Sequence, residues 1–377
     1  MGFAAALSEH PDATEAAGEV IGRVLEALGT EPDLAVLFVT PPHIAAFKEI
    51  VAAVRRLLRP HCLLGATAIA VLGENREVEQ TPGVSLWAGA GIGHVTPVRL
   101  DALQTASGAV LDPLPSEARS QQRTLLLIPD PFSFPLDVFM ADAASADGLV
   151  VIGGLASASG RAGGNLLALD DKTYDSGAVG ALLPAGVQLE TVVSQGCRPI
   201  GRPYTVTRAA GNFLHELGGQ SALARLRAIA GSATESDRQL LSGGVHLGVV
   251  VDEHKLDFGR GDFLIRAVMG ADPGSGALAV GDVVPVGATV QFQVRDAKSA
   301  TEDLRTLLSG KQAEAALVFS CNGRGMSLFD APHHDAATIS ELTATMAIGG
   351  MFCAGEIGPI GGKPFLHGFT ASILLFR

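Results

Sequence analysis

The hydrophobic positions of this chain follow a regular order of helical and continuous patterns. Residues 12–28 carry apolar side chains at helical spacing and are followed by Gly29, which predicts a first helix. Residues 34–40 form a continuous apolar run, as is typical of a strand buried on both faces. A second helix is predicted at residues 43–58, and two further apolar strands at 62–68 and 84–91.

The same order of elements recurs twice along the chain. The second copy comprises a strand at 123–129, a helix at 135–146 and strands at 149–156 and 176–183; the third comprises a strand at 315–320, a helix at 335–347 and strands at 351–355 and 367–376. Three copies of a strand-helix-strand-strand unit predict an internally duplicated α/β architecture.

The segment between the second and third copies reads mostly as β-structure. It contains strand patterns at 203–207, 263–268 and 289–294, with helices predicted at 219–230 and 297–309. We place a domain boundary near residues 209–217, which divides the chain into residues 1–216 and 217–377. Because strands follow strands directly, we expect a two-part α/β fold with mixed sheets in a layered αββα-like arrangement.

Composition and charge narrow the classes of function. The net charge of −12 over 377 residues argues against nucleic acid as a partner. No apolar stretch is long enough to span a membrane, and the N-terminus has no signal-peptide pattern. The four cysteines are widely spaced, which favours free thiols in a reducing cytoplasm. Only 18% of residues are charged, so apolar surface is expected to be buried between domains or in a homo-oligomer.

Three motifs near the C-terminus combine glycine with ionisable or thiol side chains. They are Phe-Ser-Cys-Asn-Gly-Arg-Gly at 319–325, Phe-Cys-Ala-Gly-Glu-Ile-Gly-Pro at 352–359 and Phe-Leu-His-Gly-Phe-Thr at 365–370. Each lies where an apolar strand meets a glycine turn. Because burying a charge is costly unless the charge is paired, these side chains need each other or a ligand as partners.

These motifs resemble the C-terminal half of the FIST family. Residues 217–222, 261–266 and 281–287 fit the same half, and residues 34–40, 64–73 and 194–201 resemble its N-terminal half. The resemblance covers nearly the whole chain after residue 30.

The resemblance implies a sensory module for small ligands, such as amino acids or related polar metabolites. The family occurs in bacterial signalling proteins and eukaryotic F-box proteins, and no enzymatic activity is generally assigned to it. We see no F-box or transmitter region in this sequence, so the resemblance implies a stand-alone receptor that signals through a separate protein partner. We predict neither a cofactor nor a metal ion.

Eight residues are the candidates for a ligand site. We expect polar contacts from Arg198, Asn322, Arg324 and Glu356, and a lining that includes Cys197, Cys321, Cys353 and His367. An amino-acid ligand would use arginine for its carboxylate and glutamate for its amine.

Each candidate also has an ordinary structural interpretation. Arg198 is compatible with an interdomain ion pair, and Glu356 with a pair to Arg324 or Arg198. Asn322 suits an Asn-Gly turn, and Arg324 a surface arginine that follows this turn. Cys197 suits a small buried hydrophobe, and His367 a hydrogen-bonded core histidine.

Two other classes of function stay open at this point. Cys321 or Cys353 beside Arg324 could be a thiolate that works with His367 as a hydrolase or transferase. Alternatively, the weakly charged surface could serve a protein-protein interaction scaffold that binds no ligand. The cysteines and histidines lack the paired spacing of a zinc site.

Overall fold

The continuous apolar runs form strands, and the helical patterns form helices that cover them. The computed structural model describes residues 1–105, 108–119, 122–146 and 148–377. The chain divides into two compact units. The first comprises residues 1–193, 305–366 and 370–377, and the second comprises residues 194–304 and 367–369.

Six of the eight helices in the described ranges lie close to the positions that the sequence pattern predicts, whereas those at 235–242 and 326–329 were not predicted. The helices are α1 Ala13–Leu28, α2 Phe47–Leu57, α3 Leu136–Ala143, α4 Ala222–Ser232, α5 Glu235–Ser242, α6 Ala297–Leu308, α7 Met326–Phe329 and α8 His334–Thr343, with 3-10 turns at Pro41–Ala46 and Ser116–Arg119. Helix α1 begins where the Asp12 carboxylate accepts hydrogen bonds from two backbone N–H groups. It ends at Gly29, which adopts the left-handed conformation.

The strands are numbered in chain order. The first group is β1 Gly2–Ser8, β2 Leu34–Val39, β3 Cys62–Thr67, β4 Ala70–Gly73, β5 Arg76–Glu79, β6 Val84–Ala90, β7 Thr96–Leu100, β8 Ala102–Thr105, β9 Gly108–Leu111, β10 Arg123–Pro129, β11 Leu149–Gly154, β12 Leu167–Leu169, β13 Lys172–Tyr174, β14 Ala178–Leu182 and β15 Leu189–Gln195. The second group is β16 Cys197–Pro199, β17 Tyr204–Ala210, β18 Phe213–Leu217, β19 Gln220–Ser221, β20 Val245–Val250, β21 Phe263–Asp272, β22 Ala277–Val280 and β23 Thr289–Arg295. The last group is β24 Ala315–Cys321, β25 Ile348–Cys353, β26 Glu356–Ile360, β27 Lys363–His367 and β28 Thr370–Phe376.

Three six-stranded sheets in the described part of the first unit share one pattern. Each has a central parallel pair, namely β2–β3, β10–β11 or β24–β25, whose strands are joined through a helix. Strands β6, β14 and β28 lie antiparallel beside the first strand of each pair. The full orders are β1-β6-β2-β3-β12-β13, β7-β14-β10-β11-β26-β27 and β15-β28-β24-β25-β4-β5. These are the three repeats that the sequence predicts.

The outer strands of each repeat pair with the sheet of another repeat. Strands β4 and β5 follow β3 in the chain, but β4 pairs with β25 of the third repeat. Strand β12 follows β11 but pairs with β3, and β26 follows β25 but pairs with β11. The exchange is cyclic, so each of the three six-stranded sheets contains strands from two repeats.

The central parallel strands of the three six-stranded sheets are almost entirely buried on both faces, which explains their uninterrupted apolar sequences. Their inner faces contribute to one hydrophobic cluster that includes Phe38, Trp87, Leu126, Phe319 and Phe376. Helices α1 and α2 cover the outer face of the first sheet, and α3 covers that of the second. The predicted α/β class with mixed sheets is confirmed.

The second unit contains the β-rich segment between the second and third repeats. Its strands run in the order β16-β23-β17-β18-β22-β21-β20, and β20 also pairs with β23, which closes a six-stranded barrel. Residues such as Leu247, Leu278 and Phe292 fill the barrel, and Ile229 of α4 packs against them. Sequence analysis predicted this β-structure and α4, but it missed α5.

Among the described ranges, no helix is long and apolar enough to cross a membrane.

Candidate functional site

Cys321 and Cys353 end two adjacent parallel strands of the first unit. They are direct partners in the register of β24 and β25, so the loops after both strands leave from the same edge of the sheet. The backbone N–H of Asn322 donates to the carbonyl oxygen of Cys353 at 2.9 Å. The Asn322 side chain is exposed at this edge.

A cavity of about 310 Å³ opens beside Asn322. It is lined by Ile69, Ala70, Glu79, Gln80, Asn322, Met326, Ser327 and Phe352. One wall is the loop after β24, and the opposite wall belongs to the exchanged hairpin β4–β5. The exchange of strands between repeats therefore creates this cavity.

Arg324 lies in the same loop and is completely buried in a bidentate ion pair. Its Nε donates to Asp335 Oδ2 at 2.7 Å, and its Nη2 donates to Asp335 Oδ1 at 2.8 Å. Burial raises the pKa of Asp335, but the charge and hydrogen bonds of Arg324, helped by His334, hold that pKa well below its usual range. The pair anchors the loop that carries Asn322 to helix α8.

Glu77 of β5 caps the N-terminus of α8. Its Oε1 accepts hydrogen bonds from the backbone N–H groups of Asp335 and Ala336, each at 2.9 Å. Burial, followed by the nearby Asp335 carboxylate, raises the pKa of Glu77 to about 8. Glu77 is therefore mostly protonated at neutral pH, although it sits at the positive end of a helix.

Glu356 of β26 is a second buried carboxyl group in this region. Its Oε2 accepts hydrogen bonds from the backbone N–H and the hydroxyl of Thr370, at 3.1 and 2.8 Å. Burial raises the pKa of Glu356 to about 8, although Thr370, Cys321 and the charge of Arg324 act in the opposite direction. Glu356 and Arg324 are thus close enough to interact electrostatically.

Three buried polar atoms of the charged side chains just described lack a hydrogen-bond partner among the described residues. They are Arg324 Nη1, Glu356 Oε1 and Glu77 Oε2. An unpaired buried polar atom costs about 1–3 kcal/mol, so native proteins rarely keep several together. These three buried atoms therefore have unused hydrogen-bonding capacity, although none of their residues lines the cavity beside Asn322.

Comparison with protein families covers both halves of the chain. The FIST N domain model matches residues 33–220, and the FIST C domain model matches residues 222–359. The chain belongs to the FIST family. FIST domains are generally linked to sensing and signal transduction. The two FIST models meet within the second compact unit, so family halves and compact units divide this chain differently.

Mycobacterial relatives match nearly the whole chain. An uncharacterized protein of Mycobacterium tuberculosis strain H37Rv is 42% identical over 384 residues, which span 100% of both chains. An uncharacterized protein of Mycobacterium bovis is 42% identical over 374 residues, covering 97% of this chain and 96% of the relative.

The candidate residues of this FIST protein fall into two groups. Cys321, Asn322, Arg324, Cys353 and Glu356 lie together in the first unit. Arg198, Cys197 and His367 belong to the second unit. The ligand-binding roles of all eight stay predictions.

Arg198 in the second unit has two carboxylate partners. Its Nε donates to Asp296 at 2.6 Å, and its Nη2 pairs with Asp237. Both partners lie in the same compact unit as Arg198, but they lie beyond the domain boundary that sequence analysis placed near residues 209–217. Arg198 therefore forms the ion pair between residues 1–216 and 217–377 that the sequence suggested. The guanidinium of Arg198 is already engaged by carboxylates of its own unit.

The ion pair of Arg324, in contrast, differs from the one considered from sequence. Its partner is Asp335, and Glu356 instead binds Thr370. Sequence analysis also missed Glu77, Glu79 and Gln80. The acidic stretch between the strands at 62–68 and 84–91 was the available signal, but only the exchange of β4–β5 brings it to this site.

Two thiols of the first unit are shielded from ionisation. Burial raises the pKa of Cys353 well above its ordinary value, and the carboxyl of Glu356 adds to the shift. Burial also raises the pKa of Cys62 to about 12. Because thiolates are the reactive species, we expect both to react with a thiol reagent at pH 8 only after unfolding. Mass spectrometry of protein labelled with and without urea checks this. Rapid labelling of Cys353 in the folded protein would support the hypothesis that Cys353 is a nucleophile.

The two raised carboxyl pKa values predict that stability falls as pH rises. The folded-state pKa of Glu77 and Glu356 is about 8, against an ordinary value of 4.5. Between these values the folded protein holds protons that the unfolded chain has released, so their contribution is complete below pH 4.5 and is lost as pH rises through 8. Urea denaturation from pH 5 to pH 8 should show this fall.

Replacing Glu356 with glutamine should reduce the slope with which the free energy of unfolding falls as pH rises. Glu356→Gln removes one of the two titrating groups, whereas the same substitution at the exposed Glu26 of α1 should leave the slope unchanged. A slope that is equal in wild type and Glu356→Gln would contradict the assignment of a raised pKa to Glu356.

Proposed function

We propose that this FIST protein senses a small polar metabolite of the amino-acid kind in the cavity beside Asn322, and that it signals through a separate protein partner. The observation that carries the proposal is the cavity itself. Its volume of about 310 Å³ suits a small ligand, and it lies at the carboxyl ends of the parallel strands β24 and β25.

The chemistry of the cavity wall supports a ligand with both donors and acceptors. The Glu79 carboxylate offers a site for an ammonium group, and the amides of Gln80 and Asn322 offer N–H donors for a carboxylate. Phe352 and Ile69 add apolar surface for a side chain. A free amino acid carries all three features.

Arg324 holds the loop that lines the cavity in place. The Ser327 hydroxyl donates to the Arg324 carbonyl oxygen at 2.9 Å, and the Arg324 guanidinium holds Asp335. The loop therefore presents Asn322 and Ser327 to the cavity from a fixed base. A ligand that contacts Asn322 acts on a loop that is tied directly to α8.

A thermal-shift screen of amino acids, organic acids and nucleosides tests the proposal. A ligand at a hundred times its dissociation constant adds about 2.7 kcal/mol to stability. We expect an amino acid to raise the melting temperature of wild type and to raise that of Asn322→Ala much less. Asn212→Ala, a change of the same kind in the second unit, should keep the wild-type response. The proposal fails if no amino acid shifts wild type, or if Asn322→Ala responds equally.

A further inference from the structure

His246 and Gln293 form an unsatisfied polar pair in the second unit. They are direct partners in the antiparallel register of β20 and β23, so their side chains share one face of the sheet. His246 is 6% exposed and Gln293 is 1% exposed. Neither His246 Nδ1 nor Gln293 Nε2 has a hydrogen-bond partner among the described residues.

Neighbouring glutamines show that this environment normally supplies partners. Gln291 lies two residues before Gln293 on the same face, and its amide donates to the carbonyl oxygen of Gly201 at 2.7 Å. Gln195 donates to the carbonyl oxygen of Phe263 at 2.9 Å. An unpaired, buried Gln293 amide destabilises the folded state, which indicates that a bound molecule completes its hydrogen bonding.

The backbone around the pair is arranged to hold both groups in place. A Cβ atom at Gly248 would stand 2.7 Å from Gln293 Nε2, so this glycine provides the space for the amide. The ring of Phe369 meets the imidazole of His246 edge-on, with 4.2 Å between centroids. Phe369 has a φ of 61°, a strained conformation for a bulky residue, and its carbonyl oxygen accepts a hydrogen bond from Gly196.

The local charge favours an anion. Burial, followed by the positive charge of Arg295, lowers the pKa of His246 to about 4, so the imidazole is neutral at pH 7. The Arg295 guanidinium lies 5.5 Å from the centre of the Phe369 ring. The pair itself thus offers a neutral imidazole N–H and an amide N–H, and the Arg295 cation lies nearby.

We propose that His246 and Gln293 form a binding site for a small monocarboxylate with an apolar body. Gln293 Nε2 and the Nδ1–H tautomer of His246 donate to the two carboxylate oxygens, and Arg295 supplies positive potential. Cys197, Val250, Phe263 and Ile265 form a buried apolar cluster with Phe369 packed against it, and the apolar body packs against this cluster in the proposed complex. This site lies within the second unit and does not depend on the cavity beside Asn322.

Isothermal titration calorimetry with acetate, butyrate and benzoate tests this site. We expect affinity for wild type to increase from acetate to benzoate as apolar contact grows. Gln293→Leu should weaken benzoate binding at least tenfold, on the order of one lost hydrogen bond to a charged group. Gln291→Leu, the matched change on the same strand, should bind benzoate like wild type.

Stability of the free variants gives an independent readout. Gln293→Leu should fold as stably as wild type or more so, because it removes an unpaired amide, whereas Gln291→Leu should be less stable. Gly248→Ala adds a methyl group against the Gln293 amide and should also weaken benzoate binding. The proposal is overturned if none of the three acids binds wild type at about 10 mM, a very weak affinity, or if Gln293→Leu and Gly248→Ala bind benzoate like wild type.

Discussion

Replacing Arg324 with methionine will lower the free energy of unfolding by about 3–5 kcal/mol. The substitution keeps much of the side-chain volume but leaves the Asp335 carboxylate buried without its cation. Asp335 is 1% exposed, and its two oxygens receive the Nε and Nη2 hydrogens of Arg324. Urea denaturation at pH 7 measures the effect.

The pair Arg305–Glu341 provides the control for this prediction. It is also held by two hydrogen bonds, at 3.0 and 2.8 Å, but both of its side chains are solvent-exposed. Arg305→Met should leave the free energy of unfolding unchanged within error, because exposed ion pairs contribute little. Equal effects of Arg324→Met and Arg305→Met would show that burial of the Arg324 pair is unimportant.

Gly350→Ala should lower the free energy of unfolding by about 3 kcal/mol or more, at the upper end of overpacking effects. Gly350 lies in the middle of β25, where a Cβ atom would overlap the carbonyl oxygen of Val318 in the neighbouring parallel strand. Both strands are buried, so the backbone has no free space into which it can move. Thermal or urea denaturation would measure the loss.

The same substitution in helix α1 should have the opposite sign. A Cβ atom at the exposed Gly22 meets no atom within 4 Å, and alanine favours helix over glycine by about 0.5–1 kcal/mol. Gly22→Ala should therefore stabilise the protein modestly. If Gly350→Ala were as well tolerated as Gly22→Ala, the close approach of β24 and β25 would be wrong.

Local sequence signals predicted the elements of this fold well. Asp12 and Gly29 mark the ends of α1 because a capping carboxylate and a left-handed glycine act within one turn of the helix. The three repeats were also visible, because each has a continuous apolar strand before a helix. Such signals need only neighbouring residues.

The exchange of hairpins between repeats could not be predicted in the same way. The register that joins Val71 to Met351 connects distant parts of the chain, and nothing in residues 70–79 distinguishes this partner from the strands of their own repeat. As a consequence, Glu79 and Gln80 were not recognised as neighbours of Asn322. The cavity depends on tertiary pairing rather than on any local motif.

The ion-pair partner of Arg324 could not be predicted from the sequence for a different reason. The C-terminal motifs correctly indicated that a buried arginine needs a carboxylate, but several acidic residues could satisfy it equally well. Asp335 stands at the start of α8, where an acidic residue is ordinary. Only the path of residues 325–334 brings Asp335 to the guanidinium.

Calorimetric titration of the amino acid that gives the largest thermal shift tests the central claim most directly. Met326 is exposed on the wall of the cavity, so Met326→Trp should block the cavity without disturbing the core. Met269→Trp, at an exposed methionine of the second unit, is the matched control. We predict that wild type and Met269→Trp bind with equal affinity and that Met326→Trp loses at least about tenfold, or 1.4 kcal/mol. Equal binding by all three proteins would place the ligand elsewhere and contradict the account.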